Sequence, residues 1–168
     1  VRERPNQIDK GIDIIENALV VTINELVTQE IPDSVWSNLN TTQLIIQKER
    51  PKKQWSTRPP LSWYEHLDFA PPYWVLNDKI GQLTELKSLI LFEMDIQILP
   101  DSIVELQKLE VLNLSFNKLE ISNELDKLKQ LRNLKHLILY GNHYVESEMQ
   151  VYKNMFPDLI IEYKDENN

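Results

Sequence analysis

At 168 residues the chain is long enough to bury one continuous core and is read as a single domain over 1–168. Its composition, 42% hydrophobic and 26% charged, is that of a globular protein, and a formal net charge of −8 argues against a nucleic-acid binder, since phosphate contacts need a basic face. There is no cysteine, which excludes disulfides, thiol catalysis and thiolate metal sites, and no apolar run approaches the roughly 18 residues of a membrane span.

The chain begins at Val1, not Met, which implies a removed leader or tag; a secreted or cell-envelope location and a cytoplasmic one both stay open. Ile8, Ile12, Ile15, Ala18, Val21 and Ile23 then have the spacing that Leu99, Ile103, Leu106, Leu109, Leu112 and Leu114 have later. Three-residue steps predict a helical or 3₁₀ turn, and the alternating pair after them predicts a strand, here centred on Thr22. Because the pattern already runs at Ile8, Val1 can also be read as the cut end of a longer chain. "EIPDSVWSNL", with Ile31, Pro32 and Val35, predicts the next turn, and Leu44 with Ile46 a strand at Ile45.

The following stretch, "QKERPKKQWSTRPPLSWYEHL", loses the turn signature, although spacing still places a strand at Asp68. "WVLNDKIGQL" restores it through Leu76, Ile80 and Leu83. From Leu86 to Glu120 the phrase is spoken twice at a spacing of 23 residues, Leu86, Leu89, Leu91 and Ile96 being answered by Leu109, Leu112, Leu114 and Leu119. Strands are predicted at Ile90, Asn113 and Ile138. The unit between the last two is two residues longer, and its "ISNELDKLKQL" predicts a true helix begun by Ser122 or Asn123. In the last segment Met149, Tyr152 and Phe156 share a helical face, and Ile160, 23 residues after Leu137, is placed to start a final strand.

One such unit cannot bury its apolar edge alone, so neighbours must stack their strands into one parallel sheet about 4.8 Å apart. Asn117 and Asn142 stand where the chain leaves a strand, and a buried amide there can satisfy turn backbone that is otherwise unpaired. The same position holds Leu26, Glu49, Pro72 and Met94 in the earlier units, where irregular turns are expected.

"LKSLILFEMDIQILPDSIVELQKLEVLNLSFNKLE" and "LRNLKHLILYGN" resemble leucine-rich repeats of the 23-residue, L-P-x-x-I type, and "NHYVESEMQVYKNMFPDLIIEY" resembles the terminal cap of small bacterial proteins of that family. The resemblance is close over Ile80 to Tyr163 and rests on spacing alone before that. It implies an α/β fold: a right-handed, horseshoe-shaped solenoid of about six repeats, with a parallel sheet on the concave side, helical or 3₁₀ turns on the convex side and residues 143–168 as the cap.

The sequence contains no catalytic constellation. His66, His136 and His143 lack metal spacing, and there is neither a nucleophile elbow nor a phosphate-cradling glycine loop among three glycines. Lys48, Arg50, Lys52, Lys53 and Arg58, interleaved with Trp55 and Trp63, form a basic aromatic stretch readable as a partner loop or as a long connection folded back on the convex core. The better candidate is the concave face. If Leu89 and Leu91 point inward, the outward set includes Ile90, Phe92, Phe116, His136, Ile138 and Tyr140, apolar and aromatic groups where a solvated sheet face should be polar. Phe92 and Tyr140, with the small Ser115 between them, are expected to wall a slot for an inserted side chain. The sequence therefore reads as a non-enzymatic module, without metal or cofactor, that binds another protein on this face. A groove for a small ligand, or a regulatory subunit of an enzyme, is the alternative.

Overall fold

The computed structural model describes residues 12–15, 18–23, 31–48 and 76–164. Among these residues seven strands form one sheet in chain order: β1 (Ile12–Ile15), β2 (Ala18–Ile23), β3 (Gln43–Lys48), β4 (Ser88–Leu91), β5 (Val111–Asn113), β6 (His136–Ile138) and β7 (Ile160–Glu162). β2 to β7 are parallel, and β1 alone runs antiparallel, against β2. The links between parallel strands carry short helical elements: α1 (Asp33–Trp36), 3₁₀ helices at Asp78–Gln82 and Asp101–Glu105, α2 (Ile121–Leu128) and α3 (Glu146–Met155). The class is α/β.

Alternation and three-residue spacing bury one common core. Leu44, Ile46, Leu89, Leu91, Leu112, Leu114, Leu137 and Leu139 point from the strands into it, and Ile80, Ile103, Leu125 and Leu128 meet them from the helical layer. Pro32 and Pro100 hold extended backbone immediately before their helical turns, as the fixed φ of proline favours. Each L-x-L pair and each I-x-x-L turn expected from Leu76 onward is buried as expected.

The strands at Ile45, Ile90, Asn113 and Ile138 are where spacing puts them, and three other expectations are corrected. β3 pairs directly with β4, Ile45 opposite Ile90, so no strand at Asp68 stands between them; Asp68 itself lies outside the described residues. The first unit keeps its parallel strand, but neither the turn before it nor its register is as expected. Ile12 to Ile15, expected in a helical turn, form a strand hairpinned on β2, and β2 itself is centred two residues before Thr22, with Leu19, not Val21, opposite Leu44. A two-residue slip keeps every side chain on its face, so the apolar pattern could not reveal it. At the other end Ile161, not Ile160, lies opposite Leu137. That one-residue slip turns Ile160 outward, 60% exposed, and buries Ile161 and Tyr163.

Asn117 is buried and its amide joins two units. Its Oδ1 accepts from the N–H groups of Met94 (3.0 Å) and Ile96 (3.1 Å), and its Nδ2 donates to the carbonyls of Leu91 (2.7 Å) and Leu114 (2.8 Å). Asn142 repeats the arrangement one unit later, accepting from Leu119 N–H (3.1 Å) and donating to Leu114 (2.8 Å) and Leu139 (3.0 Å). Met94, at the equivalent place, is fully buried and offers no amide to the strand before it. Its turn is irregular, with positive φ at Glu93 and Asp95. Asp95 pairs with Lys118 (2.9 Å) and with Lys48, and these two lysines, Lys118 first, keep its carboxyl below the usual carboxylate range.

α2 begins at Ile121, earlier than Ser122 or Asn123 suggested, with Glu120 at the N-cap and no side chain capping it. In place of the L-P pattern this unit has a buried carboxylate. Glu124 pairs with Lys127 (3.2 Å) and accepts from Leu99 N–H (3.4 Å), while Lys127 also donates to Leu99 O. In α3, Met149 and Tyr152 are buried, and the Phe156 ring packs 5.0 Å from that of Tyr152.

Candidate functional site

The strand side chains opposite the core form the open face of the sheet, and register aligns them in rows. One row runs Ile45, Ile90, Asn113, Ile138, Glu162, and the row before it Gln43, Ser88, Val111, His136, Ile160. Ile45, Ile90, Phe92, His136, Ile138 and Tyr140 are half-buried, and Phe116 is 53% exposed. At β2 the same face is closed, with Ala18 and Val20 each 5% exposed. Accessible apolar surface is therefore concentrated from β3 to β7.

The expected slot between Phe92 and Tyr140 does not exist. Phe116 adopts positive φ (57°), and its ring stands edge-on to Phe92 with centroids 5.3 Å apart. On its other side the ring lies against Gly141, where a Cβ would come within 2.7 Å of it. Gly141 also has positive φ (70°), which glycine alone adopts at no steric cost. Ser115, expected as the open floor, is 2% exposed and its Oγ has no partner. The aromatic feature is thus a raised Phe92–Phe116 pair.

His136 and Tyr140 converge on Glu162, a residue that the sequence reading missed. His136 Nε2 contacts one carboxylate oxygen of Glu162, and the Tyr140 hydroxyl donates to the other at 3.0 Å. These two hydrogen bonds, that from His136 first, hold the Glu162 carboxyl below its ordinary range. The signal was present: in "LIIEY" the alternation Ile161, Tyr163 puts Glu162 outward, but three consecutive apolar residues left the phase ambiguous by one. His143, by contrast, is exposed and only 4.0 Å from Glu120. His66 and the basic aromatic stretch after Lys48 lie outside the described residues. Among those described, no group of three or more His, Asp and Glu side chains could hold a metal ion, and no helix is long and apolar enough to cross a membrane.

Repeated parallel strands, inward L-x-L pairs and amide-tied turns together define a comparison class. Among solved structures the chain is similar to a leucine-rich repeat protein of Leptospira interrogans, with a TM-score of 0.51 and 24% identity over 79% of this chain. The likeness is one of fold. This chain spans 34% of the length of that protein. No protein-family model matches the sequence, and a search of curated proteins finds no relative.

Proposed function

We propose that this chain is a non-enzymatic protein-binding module, a single leucine-rich repeat domain over 1–168 of the 23-residue type, curved as a right-handed horseshoe with residues 143–168 as its cap. Its sheet is the concave face, and Ile90, Phe92, Phe116, His136, Ile138 and Tyr140 form the contact surface. The observation that carries the reading is the Phe92–Phe116 pair standing on an otherwise preformed sheet. A rigid scaffold loses little entropy on binding, and a few aromatic anchors at its centre supply most of the affinity. The partner is a protein; neither nucleic acid nor a cofactor has a part in this reading.

The test is capture of a partner from an extract of the source organism, by the native chain and by a Phe92→Ala, Phe116→Ala double variant. Loss of an aromatic anchor costs about 2 kcal/mol or more, roughly thirtyfold in affinity. The variant is expected to lose the partner while keeping its circular dichroism spectrum and melting behaviour. Undiminished capture by a folded double variant contradicts the proposal.

One observation favours the alternative of a small ligand on this face. The cluster of His136, Tyr140 and Glu162 is the kind of convergent polar group that such a site needs. A partner that survives loss of both phenylalanines and is released by Glu162→Gln would move the site to that end of the sheet.

A further inference from the structure

Ser115 belongs to the open side of the sheet, yet it is 2% exposed and its Oγ has no hydrogen-bond partner among the described residues. Buried hydroxyls without a partner are uncommon, because each forfeits its bonds to water. Backbone hydrogen bonds fix the neighbours of Ser115. Glu93 N–H donates to Ser115 O at 3.0 Å, and Phe116 N–H donates to Tyr140 O at 2.6 Å. Ser115 therefore lies between Phe92 on one side and Tyr140 on the other. The Phe116 ring spans this position, from Phe92, 5.3 Å away between centroids, to the backbone of Gly141. The ring is what covers the hydroxyl.

The cover is free to move. Phe116 is 53% exposed, and its ring meets Phe92 only edge-on. Glu93, Phe116 and Gly141 stand at the same place in successive units and share positive φ (56°, 57° and 70°). That backbone belongs to the turn, so uncovering Ser115 needs only a rotation of the Phe116 side chain to another staggered position. Turned aside, the ring leaves a slot between Phe92 and Tyr140 with Ser115 Oγ at its floor. A carboxylate flanks each wall. Glu93 follows Phe92 in the chain and has no ion pair among the described residues, and Glu162 accepts from the Tyr140 hydroxyl at 3.0 Å.

We propose that Phe116 is a lid, closed over this slot in the free protein and turned aside to admit a side chain of the bound protein, one with a hydrogen-bonding tip and no negative charge. This rests on the protein-binding reading of the face and adds its regulation. Only molecules with the lid open are competent to receive that side chain.

The chain has no cysteine, so Ser115→Cys puts its one thiol at the floor of the slot. The rate of labelling by methyl methanethiosulfonate, relative to the same variant unfolded in urea, reads how often the lid opens. A lid open about 0.1–10% of the time slows labelling roughly 10- to 1,000-fold. Adding Phe116→Ala should speed labelling at least about tenfold. Low urea should leave the rate unchanged, because a ring rotation exposes almost no new surface. The cationic 2-(trimethylammonio)ethyl reagent should label faster than the anionic 2-sulfonatoethyl one, drawn by the two carboxylates. Both variants should keep the native circular dichroism spectrum. The proposal is overturned if labelling rises with urea in step with global unfolding, or if Phe116→Ala does not speed it. It is equally overturned if the anionic reagent labels as fast as the cationic one. No partner takes part in this test, so the lid and the protein-binding reading fail separately.

Discussion

The two halves of the sheet are built from the same apolar alphabet and held by different means. From β4 to β7 successive units are tied through the amides of Asn117 and Asn142, each serving its own turn and the one before it. From β1 to β3 there is an antiparallel hairpin and a strand closed on both faces. The link from Lys48 to Asp78 there replaces the short one from Leu91 to Asp101. Counting back from the C-terminus, Met94 is the first turn position without an asparagine, and its link is still the short one, its turn being served by Asn117. Apolar spacing is enough to make strands stack, and a turn amide makes the connections between them uniform. The longer link follows β3, where the equivalent position is Glu49.

If this contrast is right, the largest effect of a single substitution belongs to Asn117→Ala. It leaves two N–H groups and two carbonyls of adjacent turns without their partner inside the core, and at about 1–3 kcal/mol for a buried unsatisfied group the loss should reach about 3 kcal/mol or more. Asn142→Ala, with one N–H and two carbonyls at comparable distances, should cost less, about 2 kcal/mol. Urea denaturation of both variants measures the order. Equal and small losses would mean that the turns hold without their amides.

Gly141→Ala comes next. A side chain at φ of 70° would sit 2.7 Å from the Phe116 ring, so the strain should cost about 1–2 kcal/mol and displace the aromatic pair. The checks are thermal melting and the ring-current shifts of Phe92. An unchanged aromatic spectrum would separate Gly141 from the placing of Phe116.

How much of this could be read from the chain depends on what an apolar pattern can distinguish. Strands at Ile90, Asn113 and Ile138, the turns at Ile80 and Ile103, and the buried amides all follow from strict spacing with one consistent phase. β2 slipped by two residues, which alternation cannot detect, and β7 by one, because Leu159, Ile160 and Ile161 are apolar in succession. The strand expected at Asp68 came from carrying a regular period through a segment that lacks the turn signature. The outward residues were correctly placed on the open face, but the slot was not, because nothing in "LSFN" announces that Phe116 takes positive φ and folds across Ser115.

The smallest effect concerns the C-terminal segment. Lys164, Gln150 and Tyr163 converge on Glu146, Lys164 most strongly, and hold its carboxyl down to about 2 against an ordinary value of 4.5. Because the folded value is depressed, its contribution to stability is fully present above about pH 4.5 and is lost as pH falls through about 2. The melting temperature of Glu146→Gln should therefore lie slightly below that of the native chain near neutrality, and the gap should close towards pH 2. A gap that does not change with pH would assign it to packing rather than charge.

The claim that joins both halves is that β3 lies directly on β4, making one continuous sheet that displays Ile45 beside Ile90. The chain has no cysteine, so a pair introduced as Ile45→Cys with Ile90→Cys can only join each other within one molecule. Adjacent strands lie about 4.8 Å apart, within the roughly 4.4–6.8 Å that a disulfide spans between Cα atoms. Mild oxidation should close this bond in the monomer, and an Ile45→Cys, Asn113→Cys pair, two strands apart, should stay reduced. Failure of the first pair to close while the protein is folded, as with a strand interposed between β3 and β4, would contradict the account.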